Sequence, residues 1–381
     1  MTYIISIKTA VLVFPIVLII FLIPFLIWQY RKYGAISPWR FIVTFAFVFY
    51  LISAYFLIIL PLPSKEEVAH LAAAHYPKYN LDPLMIIKEF IRSNPIVTQG
   101  VYAWKEGIKD GTFIQPLFNL ALTVPFGFFL HYYFQVKLKT TLIASFCLSL
   151  FFELTQLSAL YGLYQRPYRL FDVDDLILNT LGGIIGYAVA PIFQRLLPDL
   201  SQVNEKSAQR SDNISLGRRI LAFFIDLVIT ALLVSLFQFL FKNFLSFSMK
   251  NILILILTFV LMPCLLGGST LGMKVVKLQY GSVLRTGKAA WWQIFLRNFI
   301  GYGIIICNIY FLNWLLFQLS RAKTSELSDY VALILITLLP LIFFIGDILL
   351  LLKKGHRTWY EKLSRTKQIS LFNSQNFNSS V

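Results

Sequence analysis

Charge is scarce in this chain: 14% of its 381 residues are charged, and 18 acids face 34 Lys and Arg. Cysteine is nearly absent. The three thiols, Cys147, Cys264 and Cys307, sit in apolar runs at no common spacing, so they read as small core residues, neither ligands nor bridges. His70, His75, His131 and His356 are scattered, leaving no His/Cys metal spacing and no Ser/His/Asp arrangement. The segment GGSTLGMKVV lacks the G-x-x-x-x-G-K-[ST] spacing that cradles phosphate, and no nucleotide fingerprint occurs elsewhere. No cofactor and no metal are implied. The first apolar run has no small-residue cleavage site, and Arg31, Lys32, Arg40 and a second run follow it closely. It reads as a retained helix.

What is abundant is apolar surface. Hydrophobic residues make up 57% of the chain, more than a soluble protein of this length can bury. Nine stretches, near 9–29, 40–60, 114–134, 140–160, 172–194, 220–241, 251–267, 292–316 and 331–352, approach the ~20 residues needed to cross a bilayer core. The expected fold is all-α, a polytopic helical membrane protein of about nine transmembrane helices. With the N-terminus outside and the C-terminus inside, 21 of the 34 basic residues fall on inner segments. The formal charge of +16 then reflects inner loops facing anionic lipid, and no nucleic acid is needed as a partner. Trp28, Trp39, Trp291, Trp292 and Trp359 fall near span ends, as interfacial aromatics do.

The organisation expected is a five-span domain over residues 1–197, a polar cytoplasmic linker at 198–215, a four-span domain at 216–370 and a polar tail at 371–381. No internal repeat relates the halves. An outer loop at about 61–113 carries six basic and six acidic residues and contains DPLMIIKEFIRS, where Leu84, Ile87 and Ile91 share a helical face. Two readings of that piece stay open: a helix lying on the membrane surface, or a small folded cap.

Polar residues inside the spans are where function is expected, because lipid tolerates them poorly. In SLFFELTQLSAL, Glu153 and Gln156 share one helical face. YRLFDVDDLILNTLGGIIGY then supplies Arg169, Asp172, Asp174, Asp175 and Asn179. Asp172 is placed to cap the helix by accepting from the Asp175 N–H, and Gly182 and Gly186 allow a second helix to approach closely. Capping with a structural ion-pair network, binding of a cation or polar headgroup, and catalysis all fit this cluster. Together with VPFGFFL, these motifs resemble the VanZ-like family over the first five spans. That resemblance implies an envelope protein, with a founding member that lowers susceptibility to the glycopeptide teicoplanin by a mechanism not settled.

A second cluster opens in LGRRILAFFIDLVI, where Arg219 and Asp226 are seven residues apart and nearly on one face. Arg297 and Asp347 fall in the eighth and ninth spans at similar depth, so two arginines and two aspartates are expected to compensate one another. With GGSTLGMKVV, this series resembles the RDD family, named for an arginine and two aspartates. The resemblance leaves the second acid open among Asp347, Glu361 and loss of the role altogether, since WYEKLSRT stands where the family often has a His-Asp pair.

Three functional expectations follow. The outer cluster binds or shields a cell-wall precursor, lipid headgroup or glycopeptide at a bacterial plasma membrane. Alternatively, the intramembrane aspartates exchange Na+ against H+. The third, an enzyme on an isoprenoid-linked substrate, rests on the outer acids alone.

Overall fold

The computed structural model describes residues 2–73, 77–240, 247–284, 287–303, 317, 331 and 357–372. The chain is an all-helical, polytopic membrane protein: six of its described helices are long and apolar enough to cross a bilayer. Lipid offers no partner to backbone N–H and C=O groups, so each span closes its hydrogen bonds within its own helix. Two compact units divide the chain. One comprises Met1–Phe21 with Pro38–Val203, the other Leu22–Ser37 with Asn204–Val381.

In the first unit the long helices are α1 (Thr2–Tyr33, shared with the second unit) and α2 (Pro38–Ile59). Next come the short helix α3 (Lys65–Ala73), strand β1 (Tyr79–Asn80) and helix α4 (Met85–Ser93). Two further spans follow, α5 (Gly111–Tyr132) and α6 (Leu138–Leu157). Strand β2 (Phe171–Asp172) then leads into α7 (Val173–Gln194), and α8 (Leu200–Gln209) follows. Asp110 starts α5 by accepting from the Thr112 N–H at 2.9 Å. The Thr112 hydroxyl and N–H together hold the Asp110 carboxyl below its usual range.

Helices α5 and α7 cross with their backbones in contact. A Cβ on Gly186 would strike the Val124 carbonyl oxygen, one on Gly127 the Gly183 carbonyl, and one on Gly182 the Leu120 carbonyl. Small residues permit this approach, which replaces the hydrophobic drive that lipid cannot supply between helices. Facing the same glycine run, α6 turns a buried polar row inward: Thr141, Ser145, Ser149 and Glu153, spaced four apart.

Within the polar segment 198–215, α8 and a 3-10 turn at Arg210–Asp212 form, with Leu200, Ala208 and Ser211 buried. Leu200 and Ala208 give the segment an apolar face to bury. Between α2 and α5, Met85–Ser93 of DPLMIIKEFIRS forms a helix, α4.

The second unit contains α9 (Leu216–Leu240) and α10 (Phe247–Ile256), which continues through a π-helical stretch, Leu257–Leu261, to Leu265. The apolar helix there, Asn251–Leu265, is shorter than the ~20 residues of a simple span. Then follow α11 (Leu271–Val275), β3 (Leu278–Ser282), a helix α12 over 291–303, α13 (Trp359–Leu363) and β4 (Thr366–Ser370). Strands β3 and β4 pair antiparallel, Leu278 opposite Ser370 and Ser282 opposite Thr366. Tyr30, Leu221, Met273, Val276, Leu278 and Ile294 pack as the core of this unit. The expected ninth span and most of the eighth lie outside the described residues.

The glycine crossing supplies the first test. Gly186→Leu drives a side chain into the Val124 backbone and is expected to destabilise the detergent-solubilised protein by about 1–3 kcal/mol. Gly111→Ala, where a Cβ meets nothing within 4 Å, is expected to leave thermal unfolding unchanged in the same measurement.

Candidate functional site

The first polar cluster forms where α7 begins. Strand β2 runs parallel to β1, with Phe171 opposite Tyr79 and Asp172 opposite Asn80. Asp172 caps α7 by accepting from the Asp174 N–H at 2.9 Å, one residue earlier than the spacing rule predicts, and also accepts from Asn80 Nδ2 at 3.1 Å. Its own N–H donates to Glu153 Oε2 at 2.9 Å, so the buried α6 glutamate fixes the strand that enters α7. Burial pushes the Asp172 carboxyl above its usual range. The Asp174 N–H and Asn80 oppose that shift, and the charges of Asp174 and Glu89 add to it.

Asp174 serves a different helix. Its Oδ1 accepts from the Leu84 N–H at 2.6 Å and its Oδ2 from the Ile86 N–H at 2.9 Å, capping α4 from 90 residues away. Leu84 itself sits in the left-handed region at φ 65° and provides no side-chain cap. Acceptors at a helix N-terminus satisfy donors that the helix leaves open and meet the positive end of its dipole. Asp175 accepts from Asn119 Nδ2 on α5.

One turn further along α7, Asn179 Nδ2 donates to Ser149 Oγ at 3.0 Å, and the Asn179 carbonyl accepts from Thr123 Oγ1 at 2.6 Å. Asn179 Oδ1 and Ser145 Oγ are buried and have no partner among the described residues. Gln156 is buried one turn beyond Glu153. Arg169 is exposed and makes no ion pair among the described residues, although its charge acts on both Glu153 and Asp175. Of the four acids, Asp172, Asp174 and Glu153 are therefore engaged by backbone N–H groups. Asp175, which holds the Asn119 amide, is half-buried, and Arg169 is exposed.

The second cluster is built differently from its expected form. Arg219 does not pair with Asp226. Arg219 and Arg297 both donate to Glu361 Oε1, each at 3.2 Å, while Glu361 Oε2 accepts from the Thr358 N–H at 3.2 Å. Thr358 reciprocates by accepting from the Glu361 N–H, a capping box that fixes the acid at the start of α13. The Arg297 guanidinium lies 3.9 Å from the Tyr280 ring centroid and 5.1 Å from that of Tyr360. Desolvated stacking of this kind contributes about 2 kcal/mol. Asp347 lies outside the described residues.

Asp226 is held by neutral donors instead. Thr270 Oγ1 donates to its Oδ2 at 2.5 Å, and the Gly272 N–H donates to its Oδ1 at 2.7 Å. Thr270 also caps α11, accepting from the Met273 N–H at 3.1 Å. A Cβ on Gly272 would strike the Ala222 carbonyl and approach Asp226 Cγ to 2.9 Å, so only glycine lets this N–H reach the carboxylate. In GGSTLGMKVV, then, the Thr270 hydroxyl and the Gly272 N–H clamp an acid.

Sequence reasoning missed Arg218, an arginine 1% exposed. It donates to the carbonyls of Val276, Lys277, Gly34 and Ser211 and to Ser370 Oγ, and it stacks on Tyr30 at 5.4 Å. Asn80, Asn119 and Ser149 were also missed. Neutral and individually unremarkable, they gain meaning only from the acids they touch.

Residues 47–194 match the VanZ/LLP1 family, and residues 214–365 match the RDD family. Neither the curated proteins nor the solved structures contain a match to the chain.

Removing the shared acid strands one buried and one half-buried cation. Glu361→Gln is expected to destabilise the protein by about 3–5 kcal/mol in chemical unfolding, the range for breaking a buried ion pair. Arg219→Gln, at a side chain 17% exposed, is expected to cost distinctly less than Arg297→Gln at 4%.

Proposed function

We propose that this chain, a fusion of a VanZ/LLP1-family domain with an RDD-family domain, is an envelope protein of the bacterial plasma membrane. Its first domain binds or shields a polar ligand at the outer membrane face and lowers susceptibility to glycopeptides of the teicoplanin type. The observation that carries this reading is the division of labour at the start of α7. Three carboxylates are committed to holding strand and helix ends, while exposed Arg169, whose charge acts on Asp175, makes no ion pair among the described residues, and Asp175 accepts from the Asn119 amide. An exposed cation whose charge acts on an amide-bound acid suits a ligand with both an anionic group and hydrogen-bonding amides. Lipid-linked wall precursors carry both, whereas a phospholipid headgroup supplies the anionic phosphate without the amide, and a glycopeptide supplies amides.

A deletion strain is expected to become more sensitive to teicoplanin than to vancomycin. Plasmid-borne wild type restores growth, whereas Arg169→Ala and Asp175→Asn do not despite equal membrane abundance. Minimum inhibitory concentrations read the outcome, and an unchanged teicoplanin value on deletion and on overexpression removes the reading.

A second reading belongs to the RDD-family domain: exchange of H+ against Na+ through Asp226. What favours it is an acid 2% exposed and bound by a hydroxyl and an N–H, with no cationic partner among the described residues. Such a group can take and release a proton without breaking an ion pair. In inverted vesicles, Na+ is expected to dissipate a dye-reported pH gradient with wild type and not with Asp226→Asn. If both behave alike, Asp226 is a structural clamp only.

A further inference from the structure

Helix α4 is wrapped only partly by protein. Ile86 and Phe90 face inward, with the Phe90 ring 6.5 Å from that of Phe113. On the adjoining arc Leu84, Ile87 and Ile91 are all exposed, Ile91 at 59%, while Lys88, Glu89 and Arg92 occupy the opposite side. The helix is thus apolar over a wider arc than the fold covers. The turn that follows adds Val101 at 76% exposure, Tyr102 at 100% and Trp104 at 50%. A soluble surface does not leave so many large apolar side chains in water.

We propose that α4 and the 101–104 turn dock into the headgroup–acyl boundary of the same bilayer that the spans cross. Tethering places them there. The membrane helix α2 ends at Ile59 and α5 begins at Gly111, so the intervening chain is confined to one membrane face. Asp174 ties the start of α4 directly to the start of the membrane helix α7. Large apolar side chains are also exposed at Trp104 and Ile108 and at Leu117 and Phe118 in the early turns of α5, a membrane helix whose outward neighbour is lipid. A helix with an apolar arc, a charged opposite arc and adjacent Trp and Tyr has the composition of an interfacial element. Lipid is therefore the occupant, and the docked helix holds the Asp172–Asp174 cluster at the level of the headgroups.

The test uses the full chain in liposomes of phosphatidylethanolamine and phosphatidylglycerol. In a Cys147→Ser, Cys264→Ser, Cys307→Ser background, nitroxides are attached at Ile91→Cys and Tyr102→Cys. Glu66→Cys on α3 serves as a water reference, and Leu142→Cys on α6 as a bilayer reference. Power saturation is read with oxygen and with a nickel chelate. The oxygen-to-nickel accessibility ratio at Ile91 and Tyr102 is expected to exceed that at Glu66 severalfold and approach that at Leu142. A ratio like that at Glu66 overturns the proposal. So does loss of access to both reagents, which means that another protein surface or a second copy covers the patch. A measurement without cysteines guards against misfolding of the labelled variants. Brominated lipid is expected to quench less of the total emission in Trp104→Phe than in wild type, and equal fractional quenching overturns docking of the turn.

Discussion

A carboxylate withdrawn from water must be given hydrogen-bond donors, and the architecture of both units is organised around that demand. Glu153, Asp174, Asp226 and Glu361 are the fully buried acids among the described residues, and each has found its donors. The two units meet the demand differently. In the first, the donors are backbone N–H groups at the ends of helices and strands, so each acid joins two segments distant in sequence. In the second, Glu361 uses two guanidiniums and its own N-cap, while Asp226 uses a hydroxyl and a glycine N–H. The first arrangement builds fold from neutral donors, and the second concentrates charge where α9, α12 and α13 meet.

These hydrogen bonds are short only because backbones come close. The Gly127, Gly182, Gly183 and Gly186 contacts bring α5 and α7 together, which places Asn119 against Asp175 and Thr123 against the Asn179 carbonyl. Gly272 does the same for Asp226. Polar site and glycine packing are thus one design: the absence of a Cβ sets the distance, and the distance lets a neutral donor satisfy a charge.

Much of this was legible in the residues. Apolar runs located the long helices, and the acids before LILNTLGG marked the start of α7, with Asp172 as its cap. Partner choice was not legible. Arg218 and Arg219 are neighbours with the same chemistry, and which of them turns inward depends on carbonyls supplied from residues 34, 211, 276 and 277. The heptad spacing of Arg219 and Asp226 is real, yet an acid 142 residues away takes the arginine because the Thr358 capping box aims it there. Likewise, local spacing cannot show that Asp174 serves a helix elsewhere in the chain. Periodicity reports which face a residue occupies, and it is silent on what the fold brings to that face.

Asp174 also imposes an order on biogenesis. The open N–H groups of Leu84 and Ile86 leave the ribosome well before their acceptor, 90 residues further along the chain. During that interval the nascent α4 has no acceptor at its leading turn, and an isolated helix of nine residues is too short to persist in water. Its stable form therefore waits until α5, α6 and the head of α7 have been threaded into the bilayer. The last of these insertions delivers the carboxylate that the leading turn of α4 has been waiting for.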